Sequence, residues 1–541
     1  MTSDPRQLPA KTGTMSRRQL LRLIGLAGGS AVMYQAMTSL GFAAESGFTG
    51  FPKLGAAPRG ASVLVLGAGI AGMVAALELR NAGYQVQVLE FNDRPGGRVW
   101  TLRGGDRYTE LGGDTQDCGF APGQYINPGP WRLPHHHHGI LSYCRRLGVA
   151  LENFVQVNYN ALLHDPVAFG GKPQRLRTIK ADYQGQIAEL LAKATRGGAL
   201  DAPVTAEDQE MLLASLQWWG ALDRNYAYAG GHESNDRRGY ARDPGGGPSG
   251  APVYSQPLKP ADVLQSGLWG FLPLGELYDM QSTLMQPVGG MDAIAKAFGR
   301  ELGDAIRYRA KVVDIRQDER GVTATYEDAA APGSPQTARA DWCVCTIPLS
   351  VLGQIPMNVG QPMADAIGAI PYAGSTKVGL QFKRRFWEED EHIYGGISYT
   401  SQPIGTIGYP SHGYQSPGKA VLLGAYVWGH DADRFNAMTP AQRIDQAVQQ
   451  GSRLHPQYPQ EFDNGMAVSW HRVPSAMGCF ALWTESLREQ HYANLCAFDG
   501  RIVLAGEHAS YQPAWQEGAV NSALSAITRL HERAVDSGAK A

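Results

Sequence analysis

The sequence predicts an α/β protein built on a Rossmann-like dinucleotide-binding domain, joined to a mixed-sheet substrate domain and a helical subdomain. Three observations carry this. A buried-strand run feeds a glycine-rich turn and a helix just after residue 60. Strand patterns dominate from Lys311 to Trp428. The chain then returns to a strand, Arg501–Ala505, and a last helix from about Gly518. A chain of 541 residues is too long for one core and implies two or three subdomains. Hydrophobic residues at 43% and charged residues at 18% describe an ordinary globular chain. The formal net charge is −2 and no basic stripe occurs, which argues against a nucleic-acid partner.

The N-terminus reads as a targeting segment over residues 1–44. Ser16-Arg17-Arg18-Gln19-Leu20-Leu21 is a twin-arginine pattern, an apolar stretch follows, and small residues surround Ala43. A twin-arginine route carries proteins already folded around a cofactor, so a periplasmic or secreted product is expected. The competing reading is a retained helix with two chance arginines. No later stretch is long and apolar enough to span a bilayer. Residues 45–60 read as a Gly/Pro-rich linker.

Residues 61–138, 291–350 and 481–541 are assigned to the dinucleotide-binding domain. Residues 139–290 form a helical substrate subdomain, with 226–262 as a long polar loop. Residues 351–480 form a substrate-binding sheet domain. Ser62–Leu66 is a buried strand that runs into Gly67-Ala68-Gly69-Ile70-Ala71-Gly72 and a helix. Gly67 permits the tight turn, Gly69 lets the backbone approach a pyrophosphate, and Gly72 lets helix and strand pack closely. The helix N-terminus adds N–H groups and a positive dipole end. A second strand, Gln85–Leu89, ends at Glu90, where an acid accepts hydrogen bonds from a ribose diol.

Six cysteines are thinly spread without zinc spacing, and Cys343 and Cys345 read as small core residues on one strand face. His135 to His138 are consecutive. On a helix such residues point in different directions and four cannot easily share one ion, so no metal is expected. His135 and His136 are expected to line an entrance or to begin a helix running through Tyr143.

After Glu90 the chain reads Phe91-Asn92-Asp93-Arg94-Pro95-Gly96-Gly97-Arg98. This resembles the Glu-x(3)-Arg-x-Gly-Gly-Arg signature of the flavin amine oxidase family, which includes monoamine, polyamine and L-amino-acid oxidases. The fold implied is the FAD-binding Rossmann-like domain of the GR2 type, with Arg98 serving a second phosphate region. Ala505-Gly506-Glu507 resembles the family turn whose acid meets the ribityl chain. Ala514-Trp515-Gln516-Glu517-Gly518 resembles the element that meets the isoalloxazine ring and starts the last helix. By the same resemblance, Ile70, Ala71, Gly129, Pro130, Trp131, Arg132, Val312 and Trp470 belong to the FAD-binding surface.

The resemblance also assigns a reacting centre. Lys377 corresponds to a family lysine that holds a water near the flavin. Ala476-Met477-Gly478-Cys479-Phe480 is similar to the monoamine oxidase Gly-Cys-Tyr segment, which makes Phe480 and Trp515 two walls of an aromatic cage. The tyrosine after the cysteine is absent here, so FAD is expected to bind non-covalently. Gly129-Pro130-Trp131-Arg132-Leu133-Pro134 resembles the segment of L-amino-acid oxidases whose arginine clamps the substrate carboxylate, and Tyr426 resembles the tyrosine that assists it. The activity implied is oxidation of an L-amino acid by FAD and O2 to a 2-oxo acid, ammonia and hydrogen peroxide. The aromatic residues Trp218, Trp219, Tyr226 and Tyr228 lean toward a broad, apolar or aromatic side chain. Rival readings are oxidation of a non-carboxylated amine, a monooxygenase giving an amide, and a non-catalytic FAD-binding module. A homodimer is the expected assembly.

Overall fold

A computed structural model describes residues 46–198 and 205–538. The twin-arginine segment lies outside these residues, and so does the first residue of the linker.

Strand β1 (Ser62–Leu66), helix α1 (Ile70–Asn81) and strand β2 (Gln85–Leu89) form the first βαβ half-unit. β1 is apolar on both faces because both faces are covered, which is the usual reason a parallel strand reads as one continuous run. It pairs in parallel with β2 on one side and Trp342–Cys345 on the other. Ile306–Arg307 extends the sheet beyond β2, and Ile502–Leu504 and Phe498–Asp499 complete its other edge. Helix α2 (His138–Arg146) and the last helix, α3 (Gln516–Gly538), pack with α1 on one face. Three segments about 150 to 220 residues apart in sequence thus make one sheet, and its dinucleotide turn lies where β1 delivers the chain into α1.

The second body is a seven-stranded mixed sheet. Its order is Gln174–Arg175, Leu162–His164, Ile397–Thr400, Thr406–Gly408, Ala420–Trp428, Ser375–Phe382 and Phe462–Ser469. Ser375–Phe382 is buried along its whole length, between antiparallel neighbours on both sides. Its register places Lys377 directly opposite Tyr426. A separate meander, Ala310–Asp318, Gly321–Asp328 and Ala331–Ala340, packs beneath the first sheet.

Several expectations are corrected. Residues 226–262 are not one loop: they contain helices His232–Arg238 and Pro260–Gln265. Arg238 forms a buried ion pair with Asp182 on helix Leu176–Arg196, and Asp182 also accepts from Tyr228 Oη and Leu258 N. That one carboxylate anchors the stretch from both ends. Residues 139–290 are not purely helical, because they lend the short strands Leu162–His164 and Gln174–Arg175 to the substrate sheet. Strands of two or three residues are too short to show a period. The strand Ala331–Ala340 was hidden by its Pro332-Gly333 and Pro335; it is an edge strand, where proline is tolerated. The last helix starts at Gln516, within the Ala514–Gly518 element expected to begin it. Among the described residues no helix is long and apolar enough to cross a membrane.

Candidate active site

One cleft runs between the two bodies. Its wall includes Gly69, Ile70, Ala71, Gly96 and Arg98 at one end, and Trp131, Arg132, Tyr426, Phe480 and Trp515 at the other.

The first end is shaped by backbone. Gly67 has φ +102°, a conformation side chains rarely adopt, and its N–H donates to Leu89 O at 2.8 Å. A Cβ on Gly72 would stand 1.9 Å from Gly67 O, so only glycine lets α1 sit this close to the turn. Gly69, by contrast, meets nothing within 4 Å where a Cβ would project, and it forms a bridge with Gly96. Glu90 is buried at the end of β2. Its oxygens accept from Ala68 N at 2.6 Å, from Asn92 N at 2.8 Å and from Asn92 Nδ2 at 2.6 Å. Burial raises its pKa and these hydrogen bonds oppose the rise. Glu90 therefore holds the glycine turn, and its carboxylate oxygens keep acceptor capacity for a diol.

Between the ends, Arg98 Nη1 donates to Glu507 Oε1 at 2.7 Å and to Cys479 O at 2.9 Å. Glu507 also accepts from Ala481 N and Ala514 N. This pair ties the second glycine motif to both C-terminal motifs. Gln516 lies at the first turn of α3, with Oε1 buried and without a hydrogen-bond partner among the described residues. A buried orphan acceptor, a helix N-terminus and a glycine-lined approach share one elongated cleft, and this fits an FAD.

The second end is made of side chains from distant segments. Lys377 is buried, and its Nζ donates to Gly129 O at 2.6 Å and to Asn127 O at 3.3 Å. Desolvation pulls its pKa from 10.5 to about 7, with the Arg132 charge adding to the effect. A neutral lysine amine has two N–H groups, and the two carbonyls take both, which leaves its lone pair to accept. Trp470 Nε1 donates to Pro128 O at 2.8 Å. Lys377 and Trp470 thus clamp the 127–129 backbone that delivers Trp131 and Arg132. Arg132 is buried, close to Tyr426, Tyr399 and Asp279, and burial lowers its pKa. Its guanidinium lies 5.6 Å from the Trp131 ring and 5.8 Å from Phe154. Phe480 packs edge-on against Trp428, with ring centres 5.8 Å apart, and Trp515 against His137 at 5.0 Å.

Of the residues expected at the site, the cleft wall gathers Gly69, Ile70, Ala71, Arg98, Gly129, Pro130, Trp131, Arg132, Tyr426, Trp470, Phe480, Gly506, Glu507, Trp515 and Gln516. Gly67, Gly72, Glu90 and Lys377 stand behind the wall and shape it. Val312 is not brought to it: it is buried in the core between the first sheet and the meander. Trp218 and Trp219 are exposed at 81% and 44% and Tyr228 is committed to Asp182, so these aromatics do not line the cleft. Its aromatic lining comes from Trp131, Tyr426, Trp428, Trp470, Phe480 and Trp515 instead.

Four residues were missed. Glu517 caps α2, accepting from Gly139 N at 2.9 Å and Ile140 N at 2.8 Å. It lies within the Ala514–Gly518 motif, which carries no spacing signal toward residue 139. Trp428 stands two residues after Tyr426 on the same strand face, a signal that period two could have supplied. Asp279 and Met280 come from a short 3₁₀ turn with no pattern of its own. The histidine run also differs from its reading. Helix α2 begins at His138, so His136 and His137 precede it, and both are buried. Their rings converge on Asp279 instead of pointing apart.

The family model described as flavin-containing amine oxidoreductase matches residues 70–531. A putative L-amino-acid oxidase, YobN, of Bacillus subtilis is 28% identical over 491 residues, covering 85% of this chain and 93% of its own length. An L-amino-acid oxidase of the fish Siganus canaliculatus is 26% identical, covering 87% of this chain and 85% of its own. Among solved structures, cyclohexylamine oxidase from Brevibacterium oxydans superposes with a TM-score of 0.57 at 18% identity, over 88% of this chain and 99% of that one. Putrescine oxidase bound to putrescine also gives a TM-score of 0.57 at 18% identity, over 87% and 99%. These two likenesses concern the fold.

Proposed function

Because this chain belongs to the flavin-containing amine oxidoreductases, we propose that it is an FAD-dependent L-amino-acid oxidase with a non-covalently held cofactor. One observation carries the substrate class: the buried guanidinium of Arg132 stands with the Tyr426 and Tyr399 phenols beside an aromatic cleft. The planar fork of arginine matches a carboxylate bidentately, and a buried cation favours an anionic ligand. A simple amine needs no such group. The curated relatives carry the same name, which supports the reading.

When bound, the flavin supplies the two-electron acceptor, and O2 reoxidises it with formation of hydrogen peroxide. Gly67, Gly69 and Gly72 with the start of α1 would receive its pyrophosphate, Glu90 the ribose, and Glu507 and Gln516 its distal half. Arg132 and Tyr426 fix the substrate carboxylate. Phe480 and Trp515 hold the amine between apolar walls, where desolvation disfavours the ammonium form and leaves the reactive neutral amine. Lys377, neutral near pH 7 and above, offers its lone pair to a water. That water is the one required to hydrolyse the imino acid to a 2-oxo acid and ammonia. The Cys479 thiol is raised to about 12 by burial. A thiol held protonated is a poor nucleophile, which supports non-covalent binding.

A peroxide-release screen across L-amino acids, D-amino acids and simple amines tests this. Release with L-amino acids, apolar and aromatic ones foremost, is expected. Release with amines alone would overturn the carboxylate clamp, and an amide product would replace the oxidase by a monooxygenase. Residues 1–44 are proposed as a twin-arginine signal: Arg17→Lys with Arg18→Lys should leave the protein in the cytoplasmic fraction, and unchanged export would refute it.

A further inference from the structure

We propose that His136, His137 and Asp279 form a divalent transition-metal site in the cleft wall, whose occupation by an ion such as Zn2+ excludes the substrate. The inference does not rest on the identity of the substrate.

The donor atoms are placed by two turns, not by a helix. His136 and His137 lie between the short strand Leu133–Pro134 and α2, and His137 is the residue that enters the helix. Their rings stand 4.7 Å apart at 84°, which brings both edges toward one carboxylate. Asp279 sits in the turn Tyr278–Met280, and the Tyr278 ring covers His136 at 4.3 Å. Asp279 Oδ1 lies 2.9 Å from His136 Nε2 and 3.8 Å from His137 Nε2, and the three donor atoms are all within 4.8 Å of one another.

Zinc–nitrogen and zinc–oxygen bonds of about 2.0–2.2 Å put neighbouring ligand atoms about 3.0–3.5 Å apart. The separations from Asp279 to the two histidines bracket that range, and rotation of the imidazoles about their side-chain bonds would draw the histidine nitrogens, within 4.8 Å, toward the same point. A further observation points to a ligand. His137 is buried, and neither of its ring nitrogens has a hydrogen-bond partner among the described residues. An imidazole so placed lacks the partners that buried polar groups normally have. His136 Nδ1 is likewise without one.

The donor set selects the ion. Two imidazoles and one carboxylate suit Zn2+, Co2+ or Ni2+, whereas Ca2+ and Mg2+ prefer oxygen donors. Three protein ligands leave a fourth position, as in zinc sites that keep one position open. Here it would face the cleft, because His137 lines the wall beside Met280 and packs edge-on against Trp515. An ion there, with the water that fills its open position, takes up space beside Trp515, one wall of the aromatic cage. Bound metal should therefore compete with the substrate and leave the protein assembled around its cofactor.

The test is equilibrium dialysis of the FAD-loaded enzyme against Zn2+, with metal analysis of the protein. One ion per chain is expected. His137→Gln, whose imidazole has no hydrogen-bond partner among the described residues, should weaken Zn2+ binding at least tenfold, and Asp279→Asn should do the same. Flavin content and thermal melting report whether each variant is folded. If Asp279→Asn fails to fold for want of its His136 contact, His137→Gln remains decisive. His135→Asn with His138→Asn, two exposed positions, should keep the ion. In the wild type Zn2+ should raise the apparent KM and leave kcat unchanged. The proposal is overturned if the wild type takes up no Zn2+, if uptake survives in His137→Gln, or if it vanishes only in the His135/His138 variant.

Discussion

The two ends of the cleft are built from different materials. At the dinucleotide end the determining groups are backbone: Gly67 at φ +102°, Gly72 packed against a carbonyl, the bridge between Gly69 and Gly96, and the start of α1. At the reacting end they are side chains from six separate segments, the buried Arg132, Asp279, Lys377 and Phe480 and the partly buried Tyr426 and Trp515. Backbone geometry depends on a few neighbouring residues, so at Gly67 and Gly72 it tolerates no side chain and offers little to tune. A side-chain wall is assembled by the whole fold, so single changes there should alter chemistry and spare cofactor binding. The Arg98–Glu507 pair is the joint between the two ends.

The largest effect should come from the backbone end. Gly72→Val puts a Cβ 1.9 Å from Gly67 O and forces the turn or α1 to move. A folded product retaining less than a tenth of the wild-type flavin per chain is expected, measured by flavin absorbance after purification. Full flavin content would mean that this turn does not hold the cofactor.

Next is Arg132→Ala. Two charge-assisted hydrogen bonds to a carboxylate, at about 1.5–3 kcal/mol each, correspond to a fall in kcat/KM of about 100-fold or more for an L-amino acid. Flavin content should be unchanged. A matched amine without the carboxylate should lose nothing, and an equal loss for both compounds would separate Arg132 from carboxylate recognition.

The same division explains what could be read from sequence. Gly67 to Gly72, Glu90 and Arg98 lie within 32 residues, and each works through its immediate neighbours, so the motif contains its own geometry. Arg132, Tyr426, Phe480 and Trp515 were reached by resemblance, and the structure brings all four to one wall. What stayed hidden was tertiary. Asp279 is an ordinary acid in a short turn until it meets His136. The histidine run turns helical only at His138, about one turn later than its sequence suggests. Trp218 and Trp219 looked like pocket aromatics, but the packing of helix Ala206–Gly220 turns them outward.

A smaller effect concerns Lys377. Its folded pKa is about 7, against 10.5 for the free group. Between those values the unfolded chain binds a proton that the folded chain does not, so its contribution to stability rises with pH across this window and is flat below pH 7. Lys377→Met should remove that slope. Near pH 7.5 the variant should gain on the order of a few kcal/mol from the lost desolvation, offset in part by the lost hydrogen bonds to Gly129 O and Asn127 O. The quantity to compare is the difference in melting temperature between wild type and variant at pH 7.5 and pH 9.5. A difference that does not shrink with rising pH would mean that the lysine stays charged when folded.

The smallest expected change sharpens the comparison most. Cys479 lies beside the joint: its carbonyl accepts from Arg98, and its thiol faces the reacting end. If the side-chain wall only surrounds the cofactor, Cys479→Ala should leave flavin content and kcat within about twofold of wild type. Heat or acid should then release all the flavin from both proteins into solution. A thiol raised to about 12 by burial is neutral at working pH and therefore unreactive toward the ring. Flavin retained on the denatured wild type and released from the variant would show a covalent bond at this sulfur. In that case the reacting end would hold the cofactor as well as the substrate, and the division between a backbone end that binds and a side-chain end that reacts would fail.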